Sequence, residues 1–252
     1  MKKLVTAFAA CMLAGLVSAQ VESQNVVGYQ NMSLVSGFNM IGVNWQAVGG
    51  ATSISIQGPA NSLIDVSQIA AGSDQLQLFD TGTQKFTVYT MYPNTGSSPV
   101  WDGQWTKVGQ GTLIPLSVST GQGFLFNNSG APKSLTFKGQ ADFVSKTNTF
   151  AFVAGFNAFT CQFPAGFDFN SEIVKNVVAG SDQLQLFDTA TQKFTVYTMY
   201  PNTGNSPTWD GKWTKVGQGT LLGALTMQMG QGGLYNRNAA GVGTSVKFSR
   251  PY

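Results

Sequence analysis

The sequence predicts an all-β chain made of two tandem, internally repeated β-sandwich or barrel-like modules joined by a short linker. Three observations lead there. Residues 72–112 and 180–220 are one 41-residue peptide written twice, with 37 identical positions and only Gly82/Ala190, Ser97/Asn205, Val100/Thr208 and Gln104/Lys212 differing. Duplication on that scale declares a tandem architecture. The composition is low in charge, at 10% Asp, Glu, Lys and Arg, and rich in Gly, Ser, Thr, Asn, Gln and aromatics, which suits short strands and polar turns rather than helices or disorder. Apolar residues alternate between Gly- and Pro-bearing turns, the period of half-buried strands.

Val26 to Leu34 opens the first module as an extended segment. Gly37 leads an alternating stretch to Trp45 with Phe38, Met40 and Gly42 on one face, ended by Gly49 and Gly50. Ile54 and Ile56 suit a short strand, and Leu63 to Ile69 a helical turn capped by Ser62. The copied block then reads as a hairpin: Leu76 and Leu78 share a face, and Phe86, Val88, Thr90 and Tyr92 alternate with Thr87, Tyr89 and Met91. Ala190 replaces Gly82 in the second copy, so that turn position does not need a left-handed backbone. Trp101-Asp102-Gly103-Gln104-Trp105 reads as a two-residue Asp-Gly hairpin. Strands over Leu113 to Val118 and Gly123 to Phe126 close the module, which runs from 20 to 130. A polar linker over 131–142 leads to the second module, 143–252. It repeats the order with Phe150 to Phe163, a connector holding Phe167 to Val178, the copied block, strands near Leu221 to Met227 and Leu234, and a last strand with Val246 and Phe248.

Residues 1–19 read as a signal peptide: Lys2 and Lys3, an apolar run from Leu4 to Val17, and a small-residue cleavage site at Val17-Ser18-Ala19. That run is too short to cross a bilayer and no later one is long enough, so an exported chain without a membrane-spanning helix is expected. Losing Lys2 and Lys3 from 14 basic residues leaves 12 against 11 acidic ones, which removes the electrostatic case for nucleic acid or an anionic membrane. Cys11 leaves with the signal, so Cys161 is alone, and its apolar run favours burial over an intermolecular partner.

Gly37-Phe38-Asn39-Met40-Ile41, followed about 80 residues later by Gly121-Gln122-Gly123-Phe124, resembles a β-module common in secreted bacterial proteins. That module opens on a Gly-aromatic-Asn-Leu-Ile strand and closes on a Gly-x-Gly-aromatic strand. The resemblance spans most of each half and implies an extracellular surface or accessory domain. The second half departs from it at Ala158, Phe159 and Gly233.

Chemistry has few places to sit. Histidine is absent and glutamate occurs only at 22 and 172, so catalytic triads, His or Cys metal sites and paired glycosidase carboxylates lack their parts. No enzyme activity, metal or cofactor is expected. Asp74, Asp80 and Asp102, with their copies at 182, 188 and 210, read as turn residues. The candidate ligand-binding residues are Trp101, Asp102 and Gln104 with their copies Trp209, Asp210 and Lys212, extended by Tyr89 and Tyr197. An exposed indole stacks on a sugar ring while the neighbouring polar groups bond its hydroxyls. Packing of the indoles on the ribbon is the alternative. Three functions from different classes follow: a secreted structural protein that assembles with other copies of itself at a cell surface; an extracellular protein that binds a polysaccharide or another surface polymer; and, ranked last because its alternating strands would have to be more numerous and less often interrupted by Gly and Pro turns, an outer-membrane β-barrel.

Overall fold

The computed structural model describes residues 27–46, 51–57, 64–93, 95–98, 100–110, 113, 115–140, 147–163, 165–218 and 221–250. Residues 1–19, read above as a signal peptide, and Val26, Gly49, Gly50, Ser62 and Phe143 lie outside them. The first half contributes β1 (Val27–Leu34), β2 (Gly37–Gly42), β3 (Ser53–Ser55), β4 (Gln75–Asp80), β5 (Lys85–Met91), β6 (Trp105–Lys107), β7 (Ser117–Ser119), β8 (Gly123–Asn128) and β9 (Lys133–Gln140). The second contributes β10 (Thr147–Phe150), β11 (Gly155–Phe159), β12 (Phe167–Asp168), β13 (Ile173–Lys175), β14 (Gln183–Asp188), β15 (Lys193–Met199), β16 (Trp213–Lys215), β17 (Thr226–Met227), β18 (Gly233–Arg237) and β19 (Val246–Ser249). The fold is all-β, with single 3-10 turns at Val66–Gln68 and Ala239–Gly241. No helix among the described residues is long and apolar enough to cross a membrane.

Each half builds an antiparallel five-stranded sheet of the same order, β2-β8-β4-β5-β6 and β11-β18-β14-β15-β16. At its centre is the hairpin expected from the copied block. Asp80 pairs with Lys85 at the β4–β5 turn, and the Asp80 carboxylate accepts from the Gly82 and Thr83 amides. Gly82 keeps an ordinary backbone, as Ala190 in its place requires. The left-handed residue is Gln84 instead, at φ 56°, and its copy Gln192 repeats the value.

The inner face of each sheet meets short strands across a core. The copied strands give both cores the same residues: Leu76, Met91 and Trp105 in the first, Leu184, Met199 and Trp213 in the second. The flanks complete them with different chemistry. Ile41, Val43, Ile54, Ile56 and Ile64 make the first core largely aliphatic, whereas Phe159, Phe163, Phe167, Phe169 and Phe248 make the second aromatic. Several of their rings meet edge to face, Phe167 on Phe169 at 5.1 Å and Phe169 on Phe248 at 5.5 Å, while Phe163 stacks on Phe167 at 5.3 Å. Cys161 belongs to this core and is 4% exposed. Burial pushes its thiol pKa well up, so it behaves as a small hydrophobe.

Three expectations are corrected. Residues 133–140, assigned to a linker, form β9 and pair with β1 along its whole length. The polar stretch before it is the β8–β9 turn, and the alternation of buried Leu135, Phe137 and Gly139 is that of a strand seated on the core. The turn at Val66–Gln68 is capped by Asp65, whose carboxylate accepts from the Ser67 amide. Among the described residues of the strand expected over Leu113 to Val118, the paired part begins at Ser117, in Ser117–Ser119 against Ser53–Ser55, while Leu113 makes a single bridge to Thr106.

Identical sequence is anchored by different means in the two halves. Asp74 and Asp182 are both fully buried. Asp74 binds the Lys133 ammonium, the Ser129 amide and hydroxyl and the Ala70 amide. Asp182 instead takes Arg237 Nη1 at 2.5 Å, the Tyr235 hydroxyl at 2.8 Å and the Val178 and Asn238 amides. The register puts Asn128 where Arg237 stands, so each half draws its cation from a different position. Burial alone would push the Asp74 carboxyl up; the Lys133 ammonium and the Ser129 and Ala70 donors outweigh it and hold it below the usual carboxylate range. A depressed folded-state value contributes stability above the unfolded-chain value of about 4, and that contribution is lost as pH falls through the folded value. The urea midpoint is therefore expected to fall on going from pH 6 to pH 3, and to fall less in Lys133→Gln.

Candidate ligand-binding surfaces

The two halves meet through the outer faces of their five-stranded sheets. Met40, Leu125, Phe187 and Leu234 are buried there, with Phe86, Phe156, Ala158 and Phe194 packed around them. The polar contacts are exchanged in pairs. Gln84 donates from Nε2 to the Phe156 carbonyl at 3.2 Å and accepts the Phe156 amide at 2.6 Å, while Gln192 does the same to Phe38 at 3.1 and 2.7 Å. The left-handed turn aims each glutamine across the joint, a local strain offset by two bonds apiece. Further along, Gly42 donates to the Gly230 carbonyl at 2.8 Å and its counterpart Thr160 donates to the Gly121 carbonyl at 2.9 Å. Gly123 and Gly232 lie against the backbones of Phe159 and Ile41, too close for a Cβ. The Gly-x-Gly motif is thus a place of close backbone approach between the halves.

Asn39 of the Gly-Phe-Asn motif closes its own loop. Its carboxamide accepts the Val35 amide and donates to the Val35 and Gly37 carbonyls, and Asn157 repeats all three bonds on Val153 and Gly155. Likewise Gln57 brackets the backbone of Trp105, and Asn170 that of Trp213. Sequence reasoning missed the glutamines at 84 and 192 and these amide clamps. For Gln84 and Gln192 and for Asn39 and Asn157 the available signal was recurrence, at spacings of 108 and 118, whereas Gln57 and Asn170 differ in residue type and share neither spacing.

The loops holding Trp101 and Trp209 differ from the expected two-residue hairpin. Gln104 pairs with Tyr92: the Tyr92 amide donates to Gln104 O at 2.8 Å and the Gly103 amide to Tyr92 O at 3.1 Å. Trp101 to Gln104 is a tight turn inside the longer β5–β6 connection, closed by the Gln104 amide on the Trp101 carbonyl at 2.9 Å, with Gly103 at φ 70°. A two-residue type I′ hairpin needs positive φ at both central residues, and here Gly103 has it while Asp102 does not, so no second strand forms beside Trp101. Trp105 and Trp213 are fully buried core indoles. Trp101 and Trp209 are half-buried, each tilted on a neighbouring tyrosine, Tyr92 or Tyr200, with centroids 6.0 Å apart.

The polar residues around these rings are occupied. Asp102 accepts from the Thr95 amide and hydroxyl, and Asp210 from those of Thr203 and from the Gly204 amide. Lys212 donates to the Asn170 carbonyl, and Gln104 is half-buried. Tyr89 and Tyr197 point to the inner sheet face and pack on the two cores, and burial raises the pKa of both. The structure therefore joins Trp101 to Tyr92, not to Tyr89, and the carboxylates hold loop backbone. Comparison with family models, curated proteins and solved structures gives no match.

Proposed function

We propose that this chain is an exported structural protein that assembles with like copies of itself through surfaces it carries twice. The observation behind this reading is the equivalence of the copied blocks: same strands, same register, same turn and same exposed residues, with Val108 52% and Val216 51% exposed. A chain with two equivalent faces is bivalent, and one kind of contact made at each face propagates into chains or arrays. A second feature favours it. Among the described residues β1 pairs only with β9, and Tyr29 on it is 72% exposed, an edge of the kind that recruits another strand. The test is light scattering and electron microscopy of the mature chain over a range of concentrations. Ordered polymers that grow with concentration are the expected result; a monomer at every concentration overturns the proposal.

The alternative, carbohydrate binding at the Trp-Asp-Gly-x-Trp loops, draws its support from the recurring Tyr92–Trp101 and Tyr200–Trp209 ring pairs. The engagement of Asp102 and Asp210 within their loops leaves that surface with rings and few free polar partners.

A further inference from the structure

Strand register places one uncharged row across each sheet. In the first, Phe38, Asn127, Gln75, Thr90 and Thr106 stand opposite one another from β2 through β8, β4 and β5 to β6. In the second, Phe156, Asn236, Gln183, Thr198 and Thr214 form the same row. The alternate residues Leu76, Phe126 and Trp105 enter the core, so the row lies on the outward face. Alternation assigns every charged side chain of these strands to the opposite face: Asp80, Lys85 and Lys107 in one half, Asp188, Lys193, Lys215 and Arg237 in the other. The adjoining apolar part of this face is covered where the halves meet, through Met40, Leu125 and Phe86. The polar row stays partly exposed except at Thr214, and Phe38 at its end is 37% exposed.

The internal copy separates what packing explains from what it does not. Between β8 and β18, the inward residues all change: Phe124 to Gly233, Phe126 to Tyr235, Asn128 to Arg237. The outward ones, Leu125/Leu234 and Asn127/Asn236, stay the same. The leucines are buried at the joint between the halves. The asparagines are not: among the described residues neither their side-chain amides nor that of Gln183 has a hydrogen-bond partner.

We propose that this row binds a neutral, hydroxyl-rich polysaccharide strand laid across the sheet. A free carboxamide offers both donor and acceptor to a sugar hydroxyl, and the threonine hydroxyls, whose own protons go to the carbonyls of Asp74, Thr90, Asp182 and Thr198, add acceptors at the strand spacing of about 4.8 Å. The half-exposed Phe38 ring supplies a stacking surface at one end. A face without formal charge matches a polymer without formal charge, and offers nothing to repay the desolvation of an anionic or cationic one.

The test is retention of the full mature chain on insoluble cellulose, chitin, xylan and mannan. A quadruple variant, Gln75→Glu, Asn127→Asp, Gln183→Glu and Asn236→Asp, changes charge with little change in volume, and its urea midpoint is checked alongside. Wild-type retention on at least one matrix, lowered at least tenfold in a variant of unchanged stability, is the expected result. Should the quadruple variant be destabilised, Thr90→Lys with Thr198→Lys serves the same purpose on the same row. A Trp101→Ala, Trp209→Ala chain is expected to bind as wild type. The proposal is overturned if wild type passes through all four matrices, if folded row variants are retained undiminished, or if retention follows the tryptophans. It is also overturned if the row variants abolish self-association while leaving glycan retention intact, which would make the face a contact between copies. Light scattering reads assembly separately, so failure of one proposal does not decide the other.

Discussion

Arg237→Leu is expected to destabilise the protein by about 3–5 kcal/mol, the cost of leaving a buried carboxylate without its cation. Both partners of the Arg237–Asp182 pair have side chains wholly removed from solvent. The guanidinium also donates to the carbonyls of Asn176, Gly241 and Thr244, so its loss orphans more than one acceptor. Adding Asp182→Asn to Arg237→Leu should recover part of the loss by removing the charge. Lys133→Leu makes the comparison inside one molecule: its side chain is 22% exposed, water reaches the vacated site, and the expected loss is smaller, about 1–3 kcal/mol. Urea unfolding of the three variants measures all of this. A loss below about 1 kcal/mol for Arg237→Leu would show that Asp182 is satisfied without it.

The second large effect is expected at the joint between the halves. A side chain at position 232 would place its Cβ 2.5 Å from the Ile41 carbonyl oxygen, and one at 123 would lie 2.6 Å from that of Phe159. Backbone cannot step aside as a flexible side chain does, so Gly232→Val is expected to cost about 3 kcal/mol, the upper end of overpacking. It should also loosen the Gln84 and Gln192 bonds and split the unfolding transition in two, because each half keeps its own core. Gly96→Ala is the control. Gly96 has φ 72° with nothing within 4 Å, so only the backbone term applies, about 1–2 kcal/mol, with a single transition retained. Equal effects from the two variants would mean that the close approach at Gly232 contributes nothing.

Much of the fold was legible because strand signals are local. The duplicated peptide located both hairpins, and the Gly82/Ala190 difference correctly relieved that position of a left-handed backbone. What escaped was long-range. Gln84 meets Phe156 across 72 residues and Gln192 meets Phe38 across 154, and no periodicity within a short window carries such a partner. Residues 133–140 failed for a different reason: Ser129 to Lys133 has turn composition, which masked the alternation of Leu135 and Phe137 that follows it. In the Trp101 loop the Asp-Gly dipeptide was read as a hairpin tip. The structure uses it one level down, as a corner within a longer connection, because Tyr92 had already claimed Gln104 as its partner.

The paired hooks at Gln84 and Gln192 also set the order of events during biogenesis. When the first half has folded and the second has not yet been synthesised, Met40, Leu125 and Phe86 have no cover, and the receptor for Gln84 does not yet exist. A neighbouring nascent chain at the same stage offers a near-identical hook and socket. Two such chains can close on one another before either closes on itself, so crowding of nascent chains favours swapped dimers, and dilution favours the self-closed monomer.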